Sequence, residues 1–128
     1  MTVGSSETVR AVIDAYNARD MNAMMARFHE GVVWHTTPGF LWPGPYRGHE
    51  AVRGLFEHWW QGWDTGHADT KDLVEHGDSV MVSADVHGRS AGDGLDVHVR
   101  LTWVFHVREG LIDLVRSYGS PEEARAGL

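Results

Sequence analysis

Apolar residues recur along this chain with two different periods, and the change from one to the other divides it near residue 67. Before that point the spacing is helical. Val9, Val12, Ile13 and Tyr16 follow the i, i+3, i+4, i+7 pattern of one buried stripe, and Ser6 stands where a side-chain oxygen can cap the first free amides. Met21, Met24, Met25 and Phe28 repeat the spacing behind Asp20, which predicts a second, short helix across a tight corner at Arg19-Asp20. Gly31 leads into a strand expected over Val32 to Thr37. The next segment, Pro38 to Arg47, holds three of the four prolines together with Phe40, Trp42 and Tyr46. Aromatic groups in a proline-stiffened loop would expose apolar surface unless they close over something, so a lid or pocket rim is expected there. A third helix is predicted from Gly48 to about Gln61, with Val52, Leu55, Phe56, Trp59 and Trp63 on its stripe, Trp60 at the edge, and Gly62 and Gly66 ending it.

From His67 onward the period is two. A weakly patterned strand through Leu73 and Val74 reaches a Gly77-Asp78 turn. Val80, Val82, Ala84 and Val86 then alternate with Met81, Ser83, Asp85 and His87, and Val97, Val99, Leu101, Trp103 and Phe105 alternate with Asp96, His98, Arg100, Thr102 and Val104. Residues 88 to 94 connect the two. A hairpin that sets residue 85 opposite 98 collects the apolar members on one face. Glu109-Gly110 makes a further reversal, after which Ile112, Leu114, Arg116 and Tyr118 alternate with Asp113, Val115, Ser117 and Gly119. Ser120-Pro121-Glu122-Glu123 opens a closing helix: Ser120 caps the amide of Glu123, the Glu123 carboxylate reaches back, and Gly127 ends the turn. Helix, helix, strand, helix, four antiparallel strands and a last helix make an α+β fold, its helices packed in the concave face of a curved, mostly antiparallel sheet.

Composition narrows the function more than the fold. A chain of 128 residues is expected to form a single domain, with residues 1–5 flexible. Its 42% hydrophobic and 23% charged residues are ordinary for a globular protein, and no apolar run approaches the roughly 18 residues of a membrane span. The opening MTVGSSE has neither a basic nor an apolar region, so no secretory signal is read there and a cytoplasmic location is expected. Zero cysteines exclude disulfides, thiolate catalysis and cysteine zinc sites. A net charge of -7, with 11 scattered Lys and Arg residues, argues against nucleic acid. The expected partner is a small molecule or a second copy of the chain.

The stretches AVIDAYNARDMNAMMARFHEGVVWHTT, YRGHEAVRGLF and WVFHVREGLIDLVRSYGSPEEARAGL, in this order, resemble the SnoaL-like group of the nuclear transport factor 2-like superfamily. That group's relatives include polyketide cyclases, limonene epoxide hydrolase and ketosteroid isomerase. The resemblance implies a cone-shaped α+β barrel around one deep, mostly apolar pocket, a homodimer formed through the outer sheet face, and no cofactor. Counting forward from Gly110, the aspartate of the cyclases and the hydrolase falls on Ser117, and the cyclase-type histidine falls on Trp103. The hydrolase's water-positioning tyrosine and asparagine fall on Trp34 and Thr36, and the isomerase's base also falls on Thr36. The hydrolase's arginine and aspartate would fall on Ser83 and Asp85. Cross-strand pairing nevertheless turns the valine face inward and puts Asp85 outside, because burying an Asp, a His and an Arg would cost several kcal/mol.

The candidate catalytic residues are therefore Asp113, Ser117 and His35. Ser117 can hydrogen-bond a ligand carbonyl, but as a nucleophile it needs an adjacent base. Asp113 shares its parity and is the acid that simple alternation points inward on the final strand. His35 alternates with inward-facing Trp34 and Thr36, which places it outside; a flipped strand would make it the pocket's base. Tyr16, Phe28, Trp34, Thr36, Trp59, Trp63 and Trp103 are the candidate ligand-binding set, each of the aromatic ones equally explained by core packing. None of the nine histidines has the spacing of a metal motif. Asp85, His87 and His98 could meet on one sheet face, but a polar outer face or dimer interface explains them, and no metal is expected. Together these readings predict a SnoaL-like small-molecule-binding protein, acting as cyclase, isomerase or hydrolase on an apolar polycyclic, terpenoid or aromatic metabolite. The alternative is a non-catalytic ligand-binding or dimerisation domain on the same fold.

Overall fold

A computed structural model describes residues 4–36 and 43–126. Its elements run α1 (Ser5–Asn17), α2 (Met21–Met25), β1 (Phe28–His35), β2 (Tyr46–Arg47), α3 (Gly48–Gln61), β3 (Trp63–His76), β4 (Ser79–Ser90), β5 (Asp96–Arg108), β6 (Leu111–Tyr118) and α4 (Pro121–Ala126). The strands form one six-stranded sheet in the order β2-β1-β6-β5-β4-β3, antiparallel except where β1 lies parallel to β6. The sheet is curved but does not close, leaving β2 and β3 as its edges. Val9, Met24, Val32, Val52, Val80, Val82, Ile112 and Val115 meet in a fully buried core between the apolar sides of α1, α2 and α3 and the inner sheet face.

Local chemistry accounts for most element ends. Asp20 caps α2 by accepting the Ala23 amide at 3.1 Å, and Glu109 and Gly110 turn between β5 and β6 with φ of 54° and 79°. In α4 the Glu123 amide donates to Ser120 Oγ at 3.3 Å while the Glu123 carboxylate accepts from the Gly119 amide at 3.2 Å. Gly127, expected to end that helix, lies outside the described residues. The start of α1 differs from expectation. Gly4 is its N-cap and makes no side-chain cap, and the helix begins at Ser5. Ser6 does not cap; its amide and hydroxyl both donate to the Glu75 carboxylate, at 3.0 and 2.6 Å. A carboxylate from β3 thus satisfies an amide that no nearby oxygen reaches.

Three further expectations shift. Phe28 belongs to β1, not to the second helix: α2 stops at Met25, and the Ile112 amide donates to the Arg27 carbonyl at 2.9 Å, starting the strand four residues early. Apolar spacing alone cannot separate one helical turn from the first residue of a strand. The β4–β5 hairpin pairs Asp85 with Arg100 and His87 with His98, two residues from the expected register. Because the shift is even, every side chain keeps its expected face. β4 runs further into the connection, to Ser90, which closes it through Leu95.

The third shift is a β-bulge. His106 pairs with Leu114 but Val107 pairs with Ile112, so Asp113 is an extra residue on β6. Ile112, Val115 and Ser117 consequently share the buried inner side, while Leu114 and Tyr118 lie on the outer face opposite His106 and Thr102. Ala124 of α4 packs on that outer face against Met81, Val104 and Tyr118.

Candidate functional site

Helices α1, α2 and α3 and the inner face of β1, β3, β4, β5 and β6 leave a cavity of about 350 Å³, at the small end of the roughly 300–1,000 Å³ of ligand sites. Val12, Ile13 and Tyr16 of α1 form one wall with Met24, and Leu55, Phe56 and Trp59 of α3 form the next. The sheet contributes Trp34, Thr36, Ala68, Ala84, Val86, Val99, Leu101, Trp103, Phe105 and Ser117. The alternation of β4 and β5 is what delivers Ala84, Val86, Leu101 and Trp103 to one surface. Edge-to-face packing holds the aromatic wall in place: Trp34 lies 5.1 Å from Phe56 and 6.1 Å from Phe105, with ring planes nearly perpendicular.

Polar groups on this wall are few and uncharged. Among the described lining residues there is no carboxylate, imidazole, ammonium or guanidinium. Ser117 stands directly across from Trp103 in the β5–β6 ladder and is almost fully buried. Thr36 Oγ1 accepts the Gly44 amide at 3.1 Å, tying the end of β1 to the chain that leads into β2. The Tyr16 hydroxyl accepts the indole N–H of Trp59, and burial pushes its phenol pKa up, with Trp59 and Arg19 opposing. Asn17, the residue after it, clamps α1 to β3: its side-chain amide donates to the Ala68 carbonyl at 3.0 Å and its carbonyl accepts the Ala68 amide at 2.8 Å. This clamp positions both Tyr16 and Ala68, and the sequence reading missed it because Asn17 follows no periodic pattern.

The model of the SnoaL-like domain family matches residues 9–115, which takes in every described lining residue of the cavity except Ser117. The chain belongs to the SnoaL-like domain family. Among solved structures, a SnoaL-like domain of this shape is similar to an NTF2-like protein from Burkholderia thailandensis, at 25% identity and TM-score 0.81 over 100% of this chain and 98% of the other. It is also similar to TerC, co-crystallised with polyporic acid, at 16% identity and TM-score 0.81 over 95% of each chain. A third likeness is to a SnoaL-like polyketide cyclase, itself assigned as putative, from Jannaschia sp. CCS1, at 17% identity and TM-score 0.80 over 95% and 89%. No curated protein matches the chain by sequence.

Within this SnoaL-like domain the structure divides the sequence-derived candidates. Tyr16, Trp34, Thr36, Trp59, Trp103 and Ser117 come together on the cavity wall. Phe28 does not line it; the ring is buried behind Trp34, 6.1 Å away. Trp63 also lies outside the lining, because α3 ends at Gln61 and Trp63 opens β3, its ring tilted against Trp59 with centres 5.5 Å apart. Asp113 is displaced by the bulge to the outer face, where its carboxylate meets His106 Nδ1 at 2.6 Å and Arg108 at 3.7 Å. His35 faces outward beside Arg116; partial burial and the charges of Arg116 and Arg47 hold its pKa down. Phe40 and Trp42 of the expected lid lie outside the described residues.

The outer face carries the histidines. His67, His87 and His98 stand in one cross-strand row, with ring centres 5.7 and 6.4 Å apart. The next row is Asp69, Asp85 and Arg100. Arg100 bonds directly to Asp85 and holds that carboxyl below its ordinary pKa, aided by His98 and Lys71. Among the described residues no three His, Asp or Glu side chains are disposed to hold a metal ion, and no helix is long and apolar enough to cross a membrane.

Proposed function

We propose that this SnoaL-like domain binds a flat, apolar, sparsely oxygenated small molecule in its cone, of the polycyclic, terpenoid or aromatic class. The carrying observation is the cavity wall itself: its described residues include three tryptophans, two phenylalanines and aliphatic groups, and their polar groups are hydroxyls and indole N–H groups. Such a wall gains by covering apolar rings and gives a charged ligand nothing to pair with. TerC, which shares this fold, was co-crystallised with polyporic acid, which supports a small-molecule guest. A proton-abstracting cyclase or hydrolase is the less supported reading, since its chemistry wants a carboxylate or imidazole of tuned pKa within reach of the ligand, and Asp113 and His35 both face away. Where a reaction occurs, the wall contributes positioning and hydrogen bonds to neutral groups. We also propose that two copies pair through the outer sheet face, whose cross-strand rows of charges and imidazoles offer polar contacts; equilibrium sedimentation showing a monomer at micromolar concentration would rule this out.

Trp34, Trp59 and Trp103 make the cavity its own reporter. Titration with tricyclic aromatic hydrocarbons and ketones is expected to quench indole emission saturably, and Ser117→Phe, which fills the wall opposite Trp103, is expected to weaken binding by tenfold or more without loss of the folded spectrum. Equal quenching of wild type and Ser117→Phe would place the ligand elsewhere and overturn the assignment.

A further inference from the structure

The polarity of one hydrogen bond on the cavity wall follows from chemistry alone. Indole Nε1–H can only donate, so in the Trp59–Tyr16 contact the tyrosine oxygen is the acceptor. A phenol has one proton, and that contact does not use it. No other hydrogen bond involving the Tyr16 hydroxyl is formed among the described residues, and Tyr16 lines the cavity. Trp59 is anchored on α3 and Tyr16 on α1, where Asn17 locks the helix end to β3. The phenol oxygen is therefore held by its neighbour on the same wall, while its proton is left unused by that contact.

We infer that Tyr16 is the donor that orients the ligand, and that the site selects a molecule presenting a carbonyl or other acceptor oxygen toward α1, with apolar rings extending toward Trp34 and Trp103. This rests on the binding reading above and names its polar end. The chain Trp59 N–H to Tyr16 O–H to ligand oxygen runs in one direction, and accepting from the indole strengthens the phenol as a donor. Burial keeps the phenol protonated, which suits a donor and makes it a poor base. Ser117 and Thr36 lack this directionality: neither has its oxygen held by another side chain.

The experiment uses a matched pair of equal shape, 9-fluorenone and fluorene, with affinity read by indole quenching and the bound ketone's carbonyl stretch read by infrared difference spectroscopy. Wild type is expected to prefer the ketone and to lower its carbonyl stretch relative to an apolar solvent. Tyr16→Phe is expected to reduce the ketone-to-hydrocarbon preference by about tenfold, the size of one hydrogen bond, and to return the stretch toward its apolar-solvent value. Trp59→Phe, which frees the phenol to turn, is expected to reduce the preference severalfold. Because preference is a ratio within each variant, loosened packing cancels. If both compounds bind and Tyr16→Phe weakens them equally, or leaves the stretch in place, the inference falls while the binding reading stands. If neither compound binds wild type, both fall.

Discussion

Asp113 shows how one backbone residue decides whether a side chain is chemistry or scaffold. Period-two counting from Gly110 gives it the parity of Ser117, yet the inserted residue at the bulge breaks that parity, and the carboxylate pairs with His106 and Arg108 instead. Asp113→Ala is expected to lower the melting temperature by a few degrees, in line with a partly exposed ion pair worth about 1 kcal/mol, and to leave ligand affinity within twofold. A tenfold loss in the same quenching titration would return it to the pocket. Ser117 is legible in the opposite sense. Its distance from the Gly110 turn could be read along the chain, although only the bulge sets it opposite Trp103; the Tyr16–Trp59 bond could not, because it joins two helices whose relative rotation only packing sets.

At the scale of elements, the long periodic segments were readable and their junctions were not. α3 runs from Gly48 to Gln61 as its stripe predicts, and β4 and β5 keep their predicted faces even with a register two residues away, because the side-chain period of a strand forgives even shifts and only those. The α2–β1 junction and the cap of α1 failed for a shared reason: each is decided by a partner far along the chain, Ile112 in one case and Glu75 in the other. The Glu75 cap has a pH signature. Hydrogen bonds from Ser6 hold its carboxyl below the ordinary value, so the folded state favours the anion, and the contribution is present above the unfolded pKa of about 4.3 and is lost as pH falls through the lower folded one. Glu75→Gln is therefore expected to melt slightly below wild type at neutral pH, with the two curves converging below about pH 4; a difference that persisted in acid would show that charge is not the cause.

For the whole molecule, an open sheet wrapped around helices separates two surfaces with different tasks: an inner one that is apolar and holds the cavity, and an outer one that carries the histidine row and the ion pairs. The fold class followed from the order and period of the elements. The composition of the site followed only in part, since the wall draws on five strands and three helices and no local pattern states which of their residues converge. The same openness leaves β3 at the margin for 14 residues, most of them exposed, with Asp64, Asp69, Asp72 and Glu75 spaced along it. An edge strand of this length, although tied to Asn17 at Ala68, is a template on which another chain could extend the sheet, and its row of carboxylates makes a second identical edge repel it. Solubility is thus guarded at one border. Asp64→Val with Asp72→Val is expected to give concentration-dependent light scattering and thioflavin binding under conditions where wild type stays dispersed; a clear solution from the double variant would mean that the strand's twist, and not its charge, keeps neighbours away.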